Sequence, residues 1–155
     1  MWWRRFRYVL WLVGLCALGT CPAAQRSCKA KSRAREAEQL LTYLADRVEA
    51  ASAATGHVPE TPAGPTPTPG CCERGGTCEA DPAAWSAPGW KALAFSIDGE
   101  HRYTYSYAPA PGGRAAILRA VGDLDCDGEL AVYELEIRIE PIGPLRRWTR
   151  KDPYE

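Results

Sequence analysis

Val132-Tyr-Glu-Leu-Glu-Ile-Arg-Ile-Glu140 alternates apolar and polar residues from its second position to its last. A β-strand sends successive side chains to opposite faces. Tyr133, Leu135, Ile137 and Ile139 therefore share one face, and Glu134, Glu136, Arg138 and Glu140 share the other. Such a strand has a core on one side and water on the other. The same period runs through Arg102 to Tyr107, which aligns Tyr103, Tyr105 and Tyr107. It returns in Arg114 to Val121, which aligns Ala116, Leu118 and Ala120. Pro109 to Gly113 is a turn between these two runs. Strands in sequence with short links predict a small antiparallel sheet of three to four strands.

The link into the last of these strands is Asp123-Leu-Asp-Cys-Asp-Gly-Glu-Leu-Ala-Val-Tyr-Glu134. It matches the twelve-residue calcium-loop pattern. Asp123, Asp125 and Asp127 stand at positions one, three and five, Gly128 at the sharp turn at six, and Glu134 at twelve, where a two-oxygen ligand is needed. Calcium is a hard cation that takes oxygen ligands, and carboxylates at every second residue converge on one ion if the chain curls around it. The candidate metal ligands are Asp123, Asp125, Asp127, Glu129 and Glu134. Leu130, apolar at position eight, is expected to lean on the core, and Glu134, on the polar face of its strand, to reach back to the ion. Both flanks read as strand, so this is not a helix-loop-helix pair. The bland alternative is a carboxylate-rich turn without metal. On either reading the loop is structural.

The chain has seven cysteines, at 16, 21, 28, 71, 72, 78 and 126. Four lie in the body, Cys71, Cys72, Cys78 and Cys126, and an even set in a small exported domain reads as two disulfides. A bond between the neighbours Cys71 and Cys72 would strain the backbone. The favoured arrangement is one short bridge to Cys78 and one long bridge to Cys126. A four-cysteine zinc site competes but lacks a Cys-x-x-Cys spacing. Cys28 is left free or pairs between chains.

Ser27 to Thr55 reads as one long helix. Ala34, Ala37, Leu41, Leu44, Val48 and Ala51 recur at spacings of three and four and form one stripe, which Leu40 widens. Charged residues crowd the first half, so the second half is expected to pack on the body. Gly56 and Pro59 are stop signals. Pro59 to Gly76 is too rich in proline for helix or central strand. Asp81 to Leu93 has room for a helical turn or two, with Trp85 and Trp90 against the core or, less simply, stacked on a ligand. Pro141 to Glu155, with Arg146, Arg147, Arg150 and Lys151, reads as a solvated polar tail.

Arg4, Arg5 and Arg7 precede an apolar run from Tyr8 to Cys21, followed by Pro22-Ala-Ala. These are the parts of a secretory signal. The run of about 14 residues is short of the ~20 that span a bilayer, and extension through Ala24 makes a marginal span. A cleaved signal and a retained anchor are both open, with the body outside the cytoplasm in each case. The domain plan is therefore 1–24 signal or anchor, 25–56 helix, 57–140 disulfide-stapled head and 141–155 tail. With 155 residues there is room for one domain, and the balance of 19 basic and 19 acidic residues excludes a general nucleic-acid binder. No Ser-His-Asp or Cys-His set is visible, and His57 and His101 lack companions, so the reading is not an enzyme.

Several stretches together resemble one family. They are Lys31-Ser-Arg-Ala-Arg-Glu-Ala-Glu with Leu40-Leu-Thr-Tyr-Leu, then Ala53-Ala-Thr-Gly-His-Val-Pro59, Cys71-Cys72, Trp85, Trp90-Lys-Ala-Leu, Tyr103-Thr-Tyr-Ser-Tyr and Gly122-Asp-Leu-Asp-Cys-Asp-Gly128. From about Lys29 to Glu140 the chain resembles a type IV pilin-like or pseudopilin-like protein, some of which bind calcium in the head. The resemblance implies an α+β fold, with a long N-terminal helix packed on the small sheet as a pilin-like head. It also implies a structural or assembly role, pilin-like subunits or envelope components as partners, and a place at the inner membrane facing the periplasm or at the cell surface. The start departs from the family. Trp2-Trp-Arg-Arg-Phe-Arg7 stands where pilins have a Gly at the peptidase cut and Phe-Thr-Leu-Ile-Glu, so the N-terminus is degenerate. A second expectation, from another class, is a secreted or envelope-tethered binding module that uses the Tyr103, Tyr105 and Tyr107 face or the two tryptophans.

Overall fold

The computed structural model describes residues 21–153, with side chains from Lys31 on. The chain divides into two compact units, residues 1–32 and 33–155. The described part of the first is the opening of helix α1, Cys21–Ser52. The expected signal or anchor lies largely outside the described residues, as does the Cys28 side chain. Among the described residues no helix is long and apolar enough to cross a membrane.

The second unit is built on one antiparallel sheet in the order β1-β2-β3-β4-β5. Its strands are β1 (Ala63–Thr66), β2 (Thr104–Pro109), β3 (Ala115–Gly122), β4 (Ala131–Glu140) and β5 (Gly143–Lys151). Helix α2 (Pro88–Leu93) and a 3-10 turn at Cys71–Arg74 complete it. The expected fold class does not hold. The sheet has five strands rather than three to four and dominates the unit, so the architecture is mostly β rather than a long helix on a small pilin-like head. The two additional strands lie in segments read as loop and tail.

β5 occupies most of the supposed tail, and its pairing with β4 runs from Glu140↔Gly143 to Val132↔Lys151. Its Arg146 and Arg150 face carboxylates of α1. Arg146 lies 2.7 Å from Glu49 and 2.6 Å from Asp46, and Arg150 lies 2.9 Å from Glu38. These hydrogen bonds, Glu49 first, hold the Arg146 guanidinium above its usual pKa range. Trp148, between them, is opposite Leu135 and packs on the core, with the Arg150 guanidinium over its ring.

β1 is a short edge strand, a place where a sheet tolerates Gly-Pro. Gly64 has a positive φ of 81°, and a Cβ there would come within 2.3 Å of the Tyr105 carbonyl oxygen. Only glycine lets β1 lie this close to β2.

The inner face of the sheet is graded by size. Ala120 of β3 sits between Tyr105 and Tyr133, and Leu118 between Tyr107 and Leu135. A small residue in the middle row makes room for a large ring on either side. Ala37, Leu41, Leu44, Ala45 and Val48 of α1 join these residues in one core. Trp85, Trp90 and Phe95 close it at the β1 side, and Trp90 Nε1 donates to Thr66 Oγ1 at 2.8 Å.

Candidate metal centre

The link between β3 and β4 is curled by its own first carboxylate. Asp123 Oδ1 accepts the Cys126 N–H at 2.7 Å and the Asp127 N–H at 3.2 Å, and Oδ2 accepts the Gly128 N–H at 3.0 Å. Asp127 Oδ1 accepts the Glu129 N–H at 2.8 Å. Gly128 takes a φ of 98°, as the turn at position six requires. The result brings one carboxylate oxygen each from Asp123, Asp125 and Asp127 within 4.8 Å of the other two. Among the described residues no basic side chain pairs with any of them. Like charges gathered this closely repel, and a hard cation removes that cost while using oxygen donors of the preferred kind. The donor set fits calcium, which would draw its remaining oxygens from carbonyls and water.

Two of the expected ligands stand elsewhere. Glu134 is on β4 opposite Arg119 of β3, and its Oε2 accepts from Arg119 Nε at 2.9 Å. It is held across the sheet and does not reach back to the loop. Glu129 also is not among the converging carboxylates. Leu130, expected to lean on the core, is about half exposed. The buried leucine of the loop is Leu124, whose carbonyl accepts from Arg33 Nη1 at 2.6 Å.

Two disulfides frame the site. Cys72–Cys126 joins the 3-10 turn to position four of the loop across 54 residues, and Cys71–Cys78 closes a short loop across seven. Cys126 has a φ of 66°, costly for a residue with a Cβ. The bridge to Cys72 and the hydrogen bond to Asp123 hold it there.

The aromatic residues that could have formed a binding surface are interior. Tyr103, Tyr105, Tyr107, Trp85 and Trp90 are all buried. Burial pushes the hydroxyls of Tyr103, Tyr105 and Tyr107 well above the ordinary tyrosine pKa, with Tyr133 and Glu36 adding to the effect at Tyr103. Tyr107 donates to the Pro59 carbonyl and Tyr133 to the Pro153 carbonyl. His57 is exposed and its Nδ1 lies 2.8 Å from the Thr55 carbonyl, where it helps close the end of α1. His101 does have companions. It is buried against Cys71 and Cys78, more than twenty positions from the nearer of them, a separation in which no spacing motif shows. No family model, curated protein or solved structure matches the chain.

Proposed function

We propose that the protein is an exported structural or assembly protein whose disulfide-bonded head is stabilised by calcium at Asp123, Asp125 and Asp127. The observation that carries the reading is the convergence of these three carboxylates in a loop anchored through Cys126 to Cys72. A metal there adds a second clamp at the β3–β4 end of the sheet and serves rigidity. The two disulfides favour an oxidising compartment, the periplasm or cell surface. The proposed partners, pilin-like subunits or other envelope components, rest on the sequence resemblance of Lys29 to Glu140 and not on the fold, with the N-terminal segment as signal or membrane attachment. The alternative of a ligand-binding aromatic face is not favoured, because the rings it needs lie in the core.

Thermal melting of the full chain in calcium and in chelator tests the reading. Calcium is expected to raise the midpoint in the wild type and to leave Asp125→Ala unchanged. Identical melting of the wild type in both conditions rejects the calcium site.

A further inference from the structure

Cys78 and His101 oppose one another in an isolated antiparallel bridge. The Cys78 N–H donates to the His101 carbonyl at 2.8 Å, and the His101 N–H donates to the Cys78 carbonyl at 3.0 Å. Directly opposed residues put their side chains on one side of the pair. Here the Cys78 sulfur, the Cys71 sulfur bonded to it and a ring nitrogen of His101 all lie within 4.8 Å of one another, and all three residues are buried.

The two nitrogens of the imidazole differ. Nδ1 is 3.1 Å from the Gly99 carbonyl oxygen, which can only accept, so Nδ1 carries the proton. In the neutral ring Nε2 then keeps a lone pair. It is buried and has no hydrogen-bond partner among the described residues. The disulfide beside the ring has no S–H to offer either nitrogen. A buried polar atom left this way needs an explanation. Aromatic rings flank it: those of Trp85 and Tyr105 have centroids 6.0 and 6.4 Å from that of the imidazole.

We infer that in the dithiol form of the chain Cys71, Cys78 and His101 bind a zinc ion, so that the Cys71–Cys78 bond and the metal are alternative occupants of one pocket. Reduction by a dithiol supplies two electrons and two protons, the dithiol leaving as its own disulfide. Zinc then displaces the two thiol protons and takes two sulfurs and Nε2. Two thiolates and one divalent ion leave no net charge in the pocket, whereas a monovalent soft ion would leave one negative charge buried. A neutral imidazole whose other nitrogen donates to a backbone carbonyl is the arrangement in which zinc-ligating histidines are held. Zinc–sulfur bonds of about 2.3 Å require the sulfurs to part to about 3.8 Å in a tetrahedral site, which leaves a fourth position open. The site shares no ligand with the three converging aspartates.

The test uses the full chain, reduced with a water-soluble phosphine under inert gas, which becomes its oxide as water supplies the oxygen and the two thiol protons. Zinc chloride is the probe. Alkylation of each cysteine is read by fragmentation of the peptides in tandem mass spectrometry, which separates Cys71 from its neighbour Cys72 and both from Cys78. Zinc is expected to slow alkylation of Cys71 and Cys78 by about ten-fold or more, and His101→Gln to abolish that protection. Cobalt in place of zinc should give a thiolate charge-transfer band in the wild type. Unchanged alkylation of Cys71 and Cys78 with zinc overturns the inference, as does full protection in His101→Gln. If His101→Gln does not fold, Cys71→Ser decides. Loss of zinc protection at Cys78 in that variant supports the site, and its persistence overturns it.

Discussion

Arg119 of β3 and Glu134 of β4 meet across the outer face of the sheet, with Arg119 Nη2 2.7 Å and Nε 2.9 Å from the same oxygen, Glu134 Oε2. The pair separates two roles that one carboxylate could have held. Glu134→Gln should leave calcium-dependent melting intact and cost only about 0.2–1 kcal/mol, as an exposed ion pair does. Asp127→Ala should remove the calcium response. Loss of the response in Glu134→Gln would show that this side chain swings to the metal.

The two disulfides should differ in worth. In the chain-entropy argument a bridge across 54 residues is worth about 4 kcal/mol and one across seven about 2 kcal/mol. Paired serine replacement of Cys72 and Cys126 should therefore lower the denaturation midpoint more than replacement of Cys71 and Cys78. Denaturant titration of both double variants under non-reducing conditions checks the order.

Gly64→Ala should cost about 2 kcal/mol or more. The new Cβ meets the Tyr105 carbonyl, and the backbone there has a positive φ. Gly56→Ala, with a positive φ but open space around it, should cost less. Matched chemical denaturation of the two variants is the measurement.

Alkaline pH should unfold the head through its tyrosines. Tyr103, Tyr105 and Tyr107 have folded pKa values raised from 10.0 by burial. Their contribution is complete below about pH 10. Above it the unfolded chain loses protons that the folded chain keeps, and stability falls by about 1.4 kcal/mol per pH unit for each tyrosine until the folded values are reached. Phenolate absorbance of these three should appear together with loss of circular dichroism. A smooth titration near pH 10 with the fold intact would contradict their burial.

The central strands were legible because their pattern is local. Tyr133, Leu135 and Ile137, or Ala116, Leu118 and Ala120, carry the period of two by themselves. β5 was not legible because two of the inward positions flanking Trp148, Arg146 and Arg150, are charged. Arg146 and Arg150 are acceptable there only because Glu38, Asp46 and Glu49 stand opposite, about a hundred residues away. β1 was hidden by the same Gly-Pro content that its edge position permits. In the metal loop, the curl around Asp123 follows the spacing of the aspartates. That Glu134 belongs to Arg119 depends on strand register, which no loop pattern contains. The companions of His101 were hidden for a similar reason, since they come from a segment that meets it through one bridge.

The open margins of this sheet bear on how copies of the protein can associate. One margin, β1, is four residues long and broken by Gly64 and Pro65. The other, β5, carries Arg147 and Lys151 on the face away from the core. A short margin gives little backbone to pair with, and a cationic one repels its own likeness. Copies joining strand to strand would meet resistance at both ends, so an ordered array of this protein should be built through surfaces other than its β margins.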